Sequence, residues 1–387
     1  MPDFLSIKDK TAVVGIGQTA LAKGLEDTEL SLACQAISLA IDDAGLTPAD
    51  VDGLAMFSME DGREVDVARN VGLGDITFFS QVGFGGGAGC GVVGQAAMAV
   101  ATGQCEVAVA WRARKRASKA SRPWAQVSDR LAGHQQWSRP FGVLRPVDEI
   151  ALLTRRAMHQ YGYTRDHLAN VALAFRKHAQ RNPNATMGRK PLTREQYMDA
   201  RWISEPLCLF DNCLETDGAL AVVITSAARA RDLPHPPVYV HAFAQSIPQQ
   251  HQVMTNYFTE DPLLGPSWAC AKLLWERSDL QPADVPVAQL YDAFSPLVPL
   301  SLEGYGFCAR GEGGAFTEDG NLEWPNGRLP TNTSGGGMSE AYVHGFNLVL
   351  EGVRQCRGTS TAQVEGAGSC LVTSGEGVPT SAVLFRR

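Results

Sequence analysis

Three glycine-rich segments carry the residues best suited to chemistry. The stretch GGGAGCGVVGQAAMAV (Gly85–Val100) runs small residues into Cys90 and continues at helical spacing. Small residues let a backbone approach a ligand closely, and the free N–H groups of a helix start stabilise negative charge. Cys90 there is a nucleophile if the helix start lowers its pKa. Helix packing through small residues, around an inert buried thiol, is the other use of the same residues. The pattern is not G-x-G-x-x-G after a strand, and no G-K-[ST] follows. NTSGGGMSEAYVHGFN (332–347) is a second glycine turn, with Glu340, Tyr342 and His344. LVTSGEGVPTSAVLF (371–385) is a third, with Thr373 and Gly375 before a strand. QLYDAFSP (289–296) ends a strand with Tyr291, Asp292 and Ser295. Polar side chains at element ends in several loops describe one site assembled from loops.

WRARKRASKASRPW gathers Arg112, Arg114, Lys115, Arg116 and Lys119. In a chain of 387 residues with net charge −7, such a cluster suits a phosphate-bearing ligand, a solvated face or a subunit contact. The acidic balance argues against a dedicated nucleic-acid binder. The nine cysteines are scattered, form no C-x-x-C and show no zinc spacing, so no metal site is expected and reduced thiols in the cytoplasm are. The opening MPDFLSIKDK lacks a signal-peptide pattern, and no apolar run of about 18 residues predicts a membrane span.

The elements that must position these residues follow from periodicity. TAVVGIGQT, VDGLAMFS, CEVAVAW and DGALAVVITSA (217–227) read as buried strands. ELSLACQAISLAIDDAGL and GVVGQAAMAVATG read as helices closed by Gly45 and Gly103. Strand and helix alternate, which predicts a parallel sheet covered by helices. AGLTPADVDGLAMFS (44–58) echoes SDLQPADVPVAQLYDAFS (278–295), with Pro48 and Pro282 standing 234 residues apart. A match embedded in the same element order predicts two related halves. Between them, the polar, Arg- and His-rich segment from Ser138 reads as an inserted cap of helices.

RNPNATMGRKPLT, ISEPLCLFDNCLETDGALAVVITSAARARDL and NTSGGGMSEAYVHG resemble the thiolase superfamily, in its sterol-carrier and lipid-transfer-protein branch. The resemblance covers nearly the whole chain. It implies an α/β fold, a five-layer αβαβα sandwich of two repeated halves with an inserted helical loop domain. The expected division is 1–111 with 216–233, then 112–215 as the insert, then 234–387. It also implies a homodimer acting on acyl-CoA thioesters, with the Arg112–Lys119 cluster as candidate for the CoA phosphates.

The family's C-x-x-G places its nucleophile at Gly86 and its motif glycine at Gly89, so the acyl-accepting cysteine is missing; Cys90 lies one helical turn further in. H-D-C-F-S becomes Tyr291-Asp292-Ala293-Phe294-Ser295. G-H-P-x-G becomes Ala341-Tyr342-Val343-His344-Gly345, and the final C-x-G becomes Thr373-Ser374-Gly375. Claisen chemistry through an acyl-enzyme needs a thiolate, whereas retro-aldol cleavage of a β-hydroxyacyl-CoA needs only acid, base and an enolate site. Two tyrosines then act as acid and base, aided by His344, with the helix start at Gly86–Cys90 stabilising the enolate and the glycine leaving room for a branched carbon. This pattern is similar to the steroid side-chain aldolases of sterol-degrading bacteria. That implies a 17-hydroxy steroid acyl-CoA substrate and a small zinc-ribbon/OB-fold partner in a heterotetramer, zinc being the partner's and no cofactor this chain's. A thiolase or acyltransferase using Cys90, and a non-catalytic acyl-CoA-binding scaffold, are the competing readings.

Overall fold

Runs of β-branched and small apolar residues, buried on both faces, make strands that must lie between layers. The computed structural model describes residues 6–58, 62–83, 85–116, 133, 135–249, 259–375 and 380–387. The first strands are β1 (Thr11–Gln18), β2 (Gly53–Phe57), β3 (Phe78–Val82) and β4 (Val107–Arg114). A small ribbon, β5 (Trp202–Ser204) with β6 (Leu207–Cys208), stands apart. β7 (Gly218–Ser226), β8 (Val238–Ser246), β9 (Ala288–Gln289), β10 (Ser369–Ser374) and β11 (Thr380–Arg386) complete the large sheet.

The order across that sheet is β3-β2-β4-β7-β1-β8-β11-β10-β9. Outward from the central β1–β8 seam, one side reads β1, β7, β4, β2, β3 and the other β8, β11, β10, β9. Helices Glu29–Asp43 and Pro266–Glu276 occupy matching places in the two runs, as do Ala88–Ala101 and Phe346–Arg357. The P-A-D echo is a 3-10 turn in both, closed when Asp50 accepts the Thr47 N–H at 2.9 Å and Asp284 the Gln281 N–H at 2.8 Å. The seam is short: Ala12 faces Tyr239 and Val13 faces Val238.

The sheet is mixed rather than parallel. β2 pairs parallel with β3 and β4, and β9 with β10; the remaining neighbours are antiparallel. Only residues 375–379 separate β10 from β11, too few for the crossover that parallel neighbours need, and the two pair antiparallel.

Alternation along the strands sorts side chains into layers. Val107, Val109 and Trp111 pack with the Glu29–Asp43 helix on one outer face. Ala108 and Ala110 face the Ala88–Ala101 and Phe346–Arg357 helices in the middle. In β11, Val383 and Phe385 face the same middle layer, while Ala382 and Leu384 face the outer layer of the second half. The result is helices, sheet, paired central helices, sheet, helices, the five layers that the family resemblance implies.

The insert between β4 and β7 carries helices Pro146–Tyr161, Arg165–Ala179 and Arg194–Met198. The second is capped by Thr164, whose hydroxyl accepts the His167 N–H at 3.3 Å. Its apolar face, Leu168, Val171 and Phe175, joins the core of the second half with Leu290, Phe294 and Leu297. The expected boundary after residue 111 falls inside β4, which runs on to Arg114. No helix among the described residues is long and apolar enough to cross a membrane.

Gly17 of β1 lies directly under the Glu29–Asp43 helix; a Cβ there would meet the Ala36 carbonyl, with its carbon 3.1 Å away. We expect Gly17→Ala to destabilise the chain by about 1–3 kcal/mol through overpacking, read as a lower midpoint in urea unfolding.

Candidate active site

β9 leads into the loop Leu290–Ser295, which is pinned on both sides. The Leu290 N–H donates to Asn332 Oδ1 at 2.7 Å, and Asn332 Nδ2 donates to the Leu290 carbonyl at 2.8 Å. The Tyr291 N–H donates to Thr373 Oγ1 at 3.0 Å. From the cap, the Cys213 N–H donates to the Ala293 carbonyl at 2.9 Å, and the buried Asp211 carboxylate accepts the hydroxyls of Ser295 and Tyr197. The Tyr342 turn is held by Thr216 Oγ1, which accepts its N–H at 3.2 Å, and by Arg114, which donates to its carbonyl at 2.6 Å.

These anchors bring the two tyrosines together. The Tyr291 and Tyr342 hydroxyls are hydrogen-bonded, with ring centroids 6.1 Å apart and planes at 54°. Both rings are buried. Glycines make room for them. A Cβ on Gly345 would meet Tyr291 Cδ2 at 2.8 Å, and one on Gly337 would meet Tyr342 Cδ2 at 3.0 Å. A Cβ on Gly86 would fall on the end of the Tyr291 ring, with Cε1 2.7 Å away. The space expected to be open above Gly86 is therefore filled by the phenol.

Cys90 is turned away from this pair. It is fully buried, its thiol hydrogen-bonds the Val372 carbonyl at 3.4 Å and accepts from Ser374 Oγ at 3.2 Å. Burial pushes the thiol up to about 12. Its backbone N–H already donates to Ser374 Oγ at 2.8 Å, so it is not among the donors for an enolate oxygen. Gly375, at φ 76°, lies against Gly86–Gly87; a Cβ would stand 3.0 Å from the Gly87 nitrogen. Gly89 packs on Ser374. Thr373 supports the Tyr291 backbone rather than relaying a proton.

The charges differ from the sequence expectation. Arg112 and Arg114 point inward, 1% exposed each, because they share the inner face of β4 with Ala108 and Ala110. They are not available to CoA phosphates. Arg112 donates to His344 Nδ1 at 2.9 Å and lies 4.7 Å over the Phe57 ring. The guanidinium of Arg114 lies 5.1 Å from the Tyr342 ring centre. Lys115 donates to the Leu25 carbonyl, and the Arg116 N–H to Asp217 at 2.7 Å. Lys119 lies outside the described residues.

His344 is the neutral member of the group and brings no positive charge to the tyrosines. Burial, then Arg112, Arg114 and Arg116, hold it well below the usual histidine range. It accepts from Arg112 at Nδ1, which leaves the proton on Nε2. Its φ of 51° is a left-handed conformation that an L side chain adopts only where surroundings impose it.

Burial raises both phenols. Their mutual hydrogen bond couples them into one titrating unit, and Arg114 favours ionisation of both. Asp292, pushed up to about 7 by burial, accepts the N–H groups of Gly337 at 2.8 Å and Met338 at 3.2 Å; it fixes the glycine turn under Tyr342. Glu340 is held apart from the pair, accepting from Ser334 at 2.6 Å and Asn347 at 2.9 Å.

Sequence reasoning missed Cys213, which packs against the cluster holding both tyrosines and whose thiol is pushed up to about 12 by burial. It missed Ser374 as well. Among the described residues, no group of three or more His, Cys, Asp or Glu is placed to hold a metal.

A five-layer sandwich that brings two buried, hydrogen-bonded phenols against a glycine turn, with Cys90 turned away, defines a thiolase-fold enzyme. The family model "Thiolase C-terminal domain-like" matches residues 253–385. The chain is 47% identical over 385 residues to the steroid side-chain-cleaving aldolase of Thermomonospora curvata, covering 97% of each. It is 46% identical over 387 residues to the 17-hydroxy-3-oxo-4-pregnene-20-carboxyl-CoA lyase of Mycobacterium tuberculosis, covering 98% of this chain and 100% of that one. A solved Ltp2–ChsH2(DUF35) aldolase superposes with a TM-score of 0.93 at 45% identity, covering 98% of both chains. The chain belongs to the thiolase-like family of steroid side-chain-cleaving aldolases.

Asp292 gives a test of the site's burial. Its folded pKa of about 7 lies above the ordinary 3.8, so folding favours its neutral form. That stability is complete below pH 3.8 and is lost as pH rises to about 7. We expect the stability difference between Asp292→Asn and the native chain, from urea unfolding across this range, to shift in favour of the variant with rising pH.

Proposed function

We propose that the chain cleaves a carbon–carbon bond in a β-hydroxyacyl-CoA carried on a steroid, converting a 17-hydroxy steroid C20-carboxyl-CoA to a 17-ketosteroid and propionyl-CoA. The single observation that carries this reading is the Tyr291–Tyr342 hydroxyl pair standing where a nucleophile at position 86 would project.

One phenol, ionised, takes the proton of the substrate hydroxyl. The C–O bond becomes a carbonyl, the neighbouring carbon–carbon bond breaks, and its electron pair moves into the thioester as an enolate. The turn at Gly86–Gly89 offers backbone N–H groups to the enolate oxygen. The other phenol delivers a proton to the enolate carbon, giving ketone and shortened acyl-CoA. Tyr291 is assigned as the base and Tyr342 as the acid in this scheme.

The same reading includes a homodimer in the cytoplasm, joined by a small zinc-ribbon/OB-fold protein into a heterotetramer. The name of the solved relative, which couples two chains, supports a partner. It keeps the division into two halves and a cap, with the first boundary moved to the end of β4. The competing thiolase reading is disfavoured by the burial and bonding of Cys90.

The test is a product assay with a 17-hydroxy steroid acyl-CoA, on the chain co-expressed with its partner. We expect ketone and propionyl-CoA without added free CoA. Tyr291→Phe and Tyr342→Phe should each lower kcat by about 10²–10⁴, while Cys90→Ala keeps turnover. Strict dependence on free CoA, or an acyl group trapped on Cys90, would overturn the proposal.

A further inference from the structure

Arg114 is a fully covered cation with no anion to match it. It is 1% exposed, and among the described residues no carboxylate stands within ion-pair distance of it. Its Nε is buried without a hydrogen-bond partner. A buried charge of this kind is costly to folding unless something nearby supplies the opposite sign. The groups around it are phenols: its guanidinium lies over the Tyr342 ring, and one of its nitrogens holds the Tyr342 carbonyl.

We propose that Arg114 is the fixed counter-charge of the Tyr291–Tyr342 pair, a positioning residue that holds Tyr342 and balances the single negative charge formed when the pair gives up one proton. The assignment rests on the aldolase reading for its role in turnover, but the electrostatics can be read without turnover.

The other groups facing the pair do not replace it. Cys213, from the cap, opposes ionisation of both phenols, and Asp292 opposes that of Tyr291 beside it. The neutral His344 meets Tyr342 edge-on at 5.2 Å and brings no charge. Arg112 spends a nitrogen on His344 rather than on a phenol. Glu215 raises the Cys213 thiol. Arg114 is therefore the cation that favours phenolate at both members of the pair. Two phenols sharing one proton titrate as a unit, so its effect is on the pair's first ionisation.

The chain supplies internal controls. Tyr163 and Tyr197 are also buried, but their hydroxyls donate at 2.6 Å to Glu303 and Asp211, which oppose ionisation. In the full chain carrying tyrosine labelled with ¹³C at Cζ, with resonances assigned through Tyr291→Phe and Tyr342→Phe, the pair should ionise before Tyr163 and Tyr197 as pH rises. Arg114→Gln should raise the pair's midpoint by about 1–3 pH units. Arg114→Lys, which keeps the charge, should stay near the native midpoint. The rising limb of kcat/KM with pH should move by the same amount in Arg114→Gln, with kcat affected more than KM. An unchanged midpoint in folded Arg114→Gln overturns the proposal. So does ionisation of the native pair together with or after Tyr163 and Tyr197, a result that needs no variant. If the midpoint moves while the native chain cleaves no steroid acyl-CoA, the counter-charge stands and the aldolase reading falls.

Discussion

The site depends on an exclusion of volume. Tyr291 and Gly86 compete for the same space, and the phenol occupies it. A side chain of any kind at 86 would have to drive the Tyr291 ring away from Tyr342. Glycine at that position is therefore the condition for the tyrosine pair. Gly337 and Gly345 extend the same logic around the two rings.

Low dielectric sets the protonation states that this packing leaves. Desolvation keeps His344 neutral and Asp292 near neutrality, and raises every buried thiol and phenol in the site. Arginine does not respond in this way, since its guanidinium stays charged. The inward face of β4 thus supplies permanent positive charge to a site where burial disfavours the charged form of the other titrating groups.

Much of this was legible in the chain. The strand at 11–18, the helix at 29–43 and the echo around Pro48 and Pro282 follow from periodicity, and the structure contains them. The pairing of Tyr291 with Tyr342 followed from motif register. The arginines' placement follows from strand alternation, which a count of basic residues does not express. Trp111 and Ala113 are apolar and outward toward a helix, so Arg112 and Arg114 had to face the middle layer. Cys213 carried no local signal. It reaches the site only because residues 211–213 run alongside 293–295, a long-range pairing that periodicity cannot express.

The cap leaves the first half at β4, packs its helices onto the second half, and returns to the first half at β7. The chain is thereby stitched across the cleft in both directions. The two halves cannot part like a hinge without tearing the apolar seam formed by Leu168, Val171 and Phe175. The frame that holds the two phenols is thus tied together by the apolar packing of the cap on the second half.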